Sequence, residues 1–188
     1  MAIFMSAILA VGYLTGGRLR NVADLRLRWP WMAFVGLALQ FVTGPGSTLP
    51  VVGLYLSFAL LIAFTIKNIR VFGFPLILAG VLCNLLVIGV NAGMPVSAQA
   101  LVASDQGQFL GALEHNPYPK HHLATGDDHL RVLGDVIALP QPIAQAISVG
   151  DILTYAGVGL VIVGAMRPAS AKREDAAPEG DEVSRVHG

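Results

Sequence analysis

Five runs of apolar residues, near 2–17, 31–48, 49–66, 71–90 and 147–166, constrain this chain more than any other feature it has. A helix rises 1.5 Å per residue, so about 20 apolar residues cross the roughly 30 Å hydrocarbon core of a bilayer. Most of the five runs approach that length. The expected fold is therefore all-α: an integral membrane protein with about five transmembrane helices. Composition points the same way, since 13% of the residues are charged, against roughly 25% in a soluble domain. The first run is short for a span. It also has no basic residue before it, while Arg18 and Arg20 follow it, which reverses the charge order of a cleaved signal peptide and argues for a retained helix. The cluster Thr43-Gly44-Pro45-Gly46-Ser47 reads as a turn that ends the second helix early and makes a tight hairpin with the third.

Basic residues give an orientation, because short loops rich in Lys and Arg stay in the cytoplasm. Arg18, Arg20, Arg26 and Arg28 follow the first run, Lys67 and Arg70 precede the fourth, and Arg167, Lys172, Arg173 and Arg185 follow the last. Ten of the 12 basic residues thus fall on one side of a five-span arrangement. The expected location is a bacterial cytoplasmic membrane, with the N-terminus outside and the C-terminus inside. The stretch 18–28 alternates arginines with Leu19, Val22, Leu25 and Leu27, as an interfacial helix facing anionic lipid does, or as a simple topological anchor does. The tail 168–188 is rich in Ala, Pro, Gly and charge, has little to bury, and is expected to be disordered in the cytoplasm.

The 55 residues of 92–146 are too many for a simple connection and are expected to form a structured extracytoplasmic loop. Within it, 97–115 carries Leu101, Val102, Phe109, Ala112 and Leu113 at helical spacing, with Ser97 as N-cap and Asn116-Pro117 as the stop. An amphipathic helix on the outer face is expected there. The chain has no internal repeat, nucleotide-binding glycine loop or basic nucleic-acid patch. Its one cysteine, Cys83, lies inside an apolar run, which excludes an internal disulfide and a cysteine-rich zinc site.

Polar residues inside the apolar runs are the first candidates for chemistry. Asn84 and Asn91 are seven residues apart and share a face of the fourth helix; Asp151, near the start of the fifth, shares a face with Thr154 and Tyr155. An ionisable residue within a span faces the protein interior or a wet cavity. A shared polar pocket under the loop is expected, built from Asn84, Asn91, Asp135, Asp151 and Tyr155. Blander readings stand beside it. Asp151 can cap backbone amides at a helix start, the asparagines can simply pair helices, and Gly150, Gly157 and Gly164 can form a close-packing stripe. The loop also gathers His115, Lys120, His121, His122 and His129 with Asp127, Asp128 and Asp135. No cofactor is predicted. A divalent metal on His121, His122 and His129 is the lesser alternative, because His121 and His122 are adjacent and match no helical ligand motif.

The stretches Asn91-Ala92-Gly93-Met94-Pro95-Val96, Lys120-His121-His122-Leu123, Leu133-Gly134-Asp135-Val136-Ile137-Ala138-Leu139-Pro140 and Ser148-Val149-Gly150-Asp151-Ile152-Leu153 resemble a family of bacterial polytopic membrane proteins known only as a domain of unknown function. The early Gly16-Gly17-Arg18-Leu19 and Ala23-Asp24-Leu25-Arg26-Leu27-Arg28 fit it as well, so the resemblance covers residues 1 to about 167. It implies a bacterial membrane protein and supplies no activity. A lesser similarity is to the lipoprotein signal peptidases, whose two aspartates near the outer surface activate water. Asp151 at the start of the last helix, with Asp135 or Asp128 upstream, is similar in order and spacing, and paired carboxylates sharing a proton would supply the base. The chain departs from that pattern: Asp151 lacks the preceding Asn and Ala, Asp127 and Asp128 lack the Asn and Arg context, and five spans stand where that family has four. The functional expectation is a binding or support role at the outer face, with membrane lipid and a small molecule, lipid or protein as partners and no nucleic acid. The alternatives are an intramembrane aspartyl hydrolase and a small transporter.

Overall fold

The computed structural model describes residues 2–42, 50–115 and 120–167. The chain is mostly helical. Five apolar helices are α1 (Ala2–Leu14), α2 (Trp31–Val42), α3 (Pro50–Lys67), α4 (Phe74–Asn91) and, after the long loop, α7 (Val149–Met166). Among the described residues, only α4 and α7 are long and apolar enough to cross a membrane by themselves. Five apolar helices thus stand where about five spans are expected, but α1 and α2, with 13 and 12 residues, are shorter than a bilayer requires. The turn cluster 43–47, the helix stop at Asn116-Pro117 and the tail 168–188 lie outside the described residues.

The closest packing is between the antiparallel helices α4 and α7, and small residues make it possible. Gly73 faces the Gly157 carbonyl and Gly80 faces the Gly150 carbonyl, so a Cβ at any of the four would meet backbone or side-chain atoms of the opposite helix. Pairs seven residues apart on each helix keep the two glycine stripes in register along the crossing. Gly164, the third residue of the expected stripe, has only Phe72 near it, at 4.0 Å. On the other side of α4, Leu54 and Phe58 of α3 form a core with Val81, Val87 and Ile88. Outward-facing positions are apolar as well: Phe34, Val52, Phe72 and Leu86 are all exposed.

At one end of the bundle the chain between α1 and α2 is pinned down. Residues Leu19–Asp24 form a short 3-10 turn where a longer interfacial helix was one expectation. The Arg18 N–H and the Asn21 side chain donate to the Met166 carbonyl at the end of α7, at 2.8 Å each. Asn68 then grips the Arg28 backbone from both sides, accepting its N–H at 2.8 Å and donating to its carbonyl at 2.9 Å.

At the opposite end lies the loop, which is not purely helical. Strand β1 (Met94–Val96) pairs in parallel with β2 (His121–Leu123), and β3 (Ile137–Leu139) pairs antiparallel with β4 (Gln145–Ile147). The backbone of Asp135 bridges the free edge of β1 through the Asp135 N–H to the Pro95 carbonyl and the Ser97 N–H to the Asp135 carbonyl, both 3.0 Å. The all-α expectation is corrected by these four short strands. The expected amphipathic helix over 97–115 is likewise divided, into α5 (Ala98–Ala103) and α6 (Leu110–His115). The interruption falls where the Ser104 hydroxyl turns back onto the Leu101 carbonyl and Asp105 takes a positive φ of 58°. Ser97 does cap α5, accepting from the Ala100 N–H. The loop has its own apolar core of Val96, Ala100, Leu101, Leu113 and Ala146, which explains how so long a connection holds a shape.

Candidate functional site

A cavity of about 630 Å³ lies where the loop meets α2, α3, α4 and α7. Its walls divide by chemistry. Leu37, Phe58, Leu61, Val81 and Ile88 line it from the helices, and Leu101, Phe109 and Leu113 from the loop. The polar lining comes from Gln40, Asn84, Asp151, Thr154 and Tyr155 on the helices and Gln106, Lys120, His121, Asp135 and Gln145 on the loop.

Three polar side chains form a closed circuit. Asn84 donates through Nδ2 to Asp151 Oδ1 at 2.9 Å, and the Ser148 hydroxyl donates to Asn84 Oδ1 at the same distance. Asp151 and Ser148 complete it as a reciprocal capping box: the Ser148 N–H donates to Asp151 Oδ2 and the Asp151 N–H to Ser148 Oγ, each at 3.0 Å. Asp151 is therefore a helix cap and a cavity wall at once. The fit depends on Gly150, where a Cβ would collide with the Asn84 amide.

Asp135 differs in kind. It is buried, its position fixed by the backbone bridge to β1, yet among the described residues its carboxylate makes no hydrogen bond; Oδ2 lies 3.6 Å from His121 Nε2, beyond bonding range. Burial, and then the charge of Asp151, push its carboxyl up to about 7, with Lys120 opposing. Burial and the adjacent Lys120 push His121 down to about 4, with Asp151 opposing. At neutral pH the imidazole is therefore uncharged and the carboxyl only partly ionised, so the short His121–Asp135 separation is not an ion pair. Lys120 donates to Gln40 Oε1 at 2.9 Å, and burial lowers its amine while Asp151 and Asp135 hold it up.

The remaining expected residues serve elsewhere. Asn91 is not in the pocket: it clamps the loop, accepting the His129 N–H at 2.7 Å and donating to the His129 carbonyl at 2.8 Å. Asp128 is also outside it, bonded to His122 Nε2 at 2.8 Å and to the Thr125 N–H at 2.6 Å. Desolvation works against the ionised Asp128, but the Thr125 and His122 bonds outweigh it and hold its carboxyl below the ordinary value. His129 Nδ1 lies 3.1 Å from the Asp127 carbonyl. His121, His122 and His129 are thus turned to separate partners, and no group of three or more His, Cys, Asp or Glu converges among the described residues.

Several cavity residues were missed as site residues, Gln40, Gln106, Lys120 and Gln145 among them. Gln40 is the only polar side chain in the α2 segment WMAFVGLALQFV, and that solitude was a usable signal. Lys120 was visible only as one member of the loop cluster; nothing local shows that it turns inward.

Residues 24–163 match the model of DUF5317, a family of unknown function. The chain belongs to that family. No curated protein and no solved structure matches it. The DUF5317 stretch contains every cavity-lining residue, from Leu37 to Tyr155, while all of α1 and the end of α7 fall outside it.

Proposed function

We propose that this DUF5317 protein is a five-helix integral protein of a bacterial cytoplasmic membrane that binds an amphipathic ligand in the cavity beneath its outer loop. One observation carries the reading: a cavity of ligand size whose wall is apolar on α2, α3 and α4 and polar where Asn84, Lys120, Asp135 and Asp151 gather. Sites of several hundred Å³ with a mostly apolar lining and a few convergent polar groups are the usual form of a small-molecule pocket. The membrane part of the reading is supported by the exposed apolar faces of the helices, which want hydrocarbon as a solvent. It is also supported by the gathering of Arg18, Arg28, Lys67 and Arg70 at the end where Asn21 and Asn68 anchor the linker, opposite the loop. In this arrangement the loop is extracytoplasmic and the basic end cytoplasmic. Shorter helices such as α1 fit by packing against α7 and by local thinning of the bilayer.

The test is native mass spectrometry of the purified protein, reading co-purifying amphiphile, beside the same measurement on Ala112→Trp, which fills the cavity. Retained ligand on the wild type and its loss from a folded Ala112→Trp is the expected result. A wild type that binds no amphiphile under any condition refutes the reading. Reporter fusions check orientation: activity of a periplasm-dependent reporter after Gly126 and none after Arg28.

A second reading, aspartyl hydrolysis, is favoured by the presence of Asp135 and Asp151 in one cavity with the Asp135 carboxyl pushed up to about 7. The carboxylate pairing it requires is Asp135 with Asp151, because Asp128 is engaged with His122 and Thr125. Both oxygens of Asp151 already hold structural hydrogen bonds, which favours binding over catalysis. A folded Asp135→Asn that fails to complement a deletion while still binding ligand is the result that favours hydrolysis.

A further inference from the structure

The charge inside the cavity specifies what kind of head group it takes. Its lining carries two acids, Asp135 and Asp151, one amine, Lys120, and the uncharged imidazole of His121. Asp151 has each oxygen occupied, and Lys120 is directed to Gln40. Asp135 is the exception, a carboxylate whose side chain is 10% exposed and which accepts no hydrogen bond among the described residues, although buried acceptors ordinarily find a donor. An unfilled acceptor facing a cavity calls for a ligand donor. With both acids ionised the lining is one charge negative, so a donor that also carries one positive charge neutralises it. We propose that the ligand is a monocationic amphiphile whose ammonium-type head docks on Asp135, in the field of Asp151, with its apolar body against Leu37, Phe58 and Leu61. This rests on the amphiphile-binding reading above and narrows its substrate class.

A proton linkage follows from the same placement. The groups facing Asp135 are Asp151 and Tyr155 from α7 and Lys120 and His121 from the edge of β2. Of these, Asp151 and burial favour the protonated form and Lys120 the ionised one. A cation requires the ionised form, so its binding releases the Asp135 proton. With that carboxyl near 7, the ionised fraction falls about tenfold between pH 8 and pH 6, and apparent affinity for a cation falls with it.

The probes are decylamine, decanol and decanoate, which share a tail and differ in head charge. Each is titrated calorimetrically into the full chain in phosphatidylcholine nanodiscs, with empty nanodiscs subtracted. The expected result at pH 8 is decylamine at least tenfold tighter than decanol, an advantage that shrinks about tenfold at pH 6. In Asp135→Asn the advantage should vanish while decanol still binds. Preference for decanoate would make Lys120 the anchor and overturn the proposal, as would equal binding of decylamine and decanol at both pH values. If no probe binds, the amphiphile reading itself fails, and if Asp135→Asn does not fold, the wild-type pH profile decides alone.

Discussion

Replacing Gly80 by alanine tests the packing that creates the site. A Cβ there would lie 2.7 Å from Thr154 N, and closer still to the Gly150 carbonyl and the Thr154 hydroxyl, against about 3.4 Å for an ordinary contact. Most of these are backbone atoms of α7, which cannot swing away as a side chain can. The helices must therefore part locally by at least about 0.7 Å. That movement stretches the Asn84–Asp151 bond from 2.9 Å to beyond hydrogen-bonding range. Overpacking costs about 1–3 kcal/mol and the lost bond about 1 kcal/mol, while alanine's helix propensity returns about 1 kcal/mol. The net expected loss is about 1–3 kcal/mol. Gly89, nine residues along the same helix, has open space where a methyl group would sit, with nothing within 4 Å, so Gly89→Ala keeps only the propensity gain of about 1 kcal/mol. One substitution on one helix should thus change sign between two positions. Reversible unfolding in mixed micelles measures it. A Gly80→Ala protein as stable as Gly89→Ala would show that the α4–α7 contact is looser than described.

Three further substitutions probe the carboxylates. Asp151→Ala leaves the Asn84 amide and the Ser148 N–H without acceptors and should cost about 2–4 kcal/mol, whereas Asp151→Asn keeps one acceptor and should cost about half as much; wild-type stability in both would refute the capping circuit. Asp135 holds its proton more tightly folded than unfolded, so its contribution to stability is present at pH below about 4 and is lost as pH rises to about 7. His121 titrates in the opposite sense over most of that window, so the informative quantity is the difference between variants. Asp135→Asn should gain on the wild type steadily from pH 4 to pH 7 and hold that gain above, and a pH-independent difference would mean that Asp135 is not perturbed.

Helix positions were legible in the sequence because apolar runs carry their own signal: α3, α4 and α7 fall within three residues of the runs that announced them. The N-cap role of Ser97 and the place of Asp151 at a helix start were legible for the same reason, since caps are set by residues three apart. The glycine stripe on α7 was also visible, but its partners Gly73 and Gly80 became meaningful only once two antiparallel helices were laid together. The site depended most on that docking. Asn84 and Asn91 look equivalent on one helix face, yet the depth at which α7 and the loop seat sends the first to Asp151 and the second to the His129 backbone. Asp128 and Asp135 look alike in a loop; a strand bridge to β1 carries one into the cavity, and a hydrogen bond to His122 holds the other outside it. Lys120 and Gln40 meet across 80 residues of chain. Sequence periodicity records which face of an element prefers water or hydrocarbon, and that alone builds helices. Which polar groups then share a cavity depends on distances between elements, and those are set only when the elements pack.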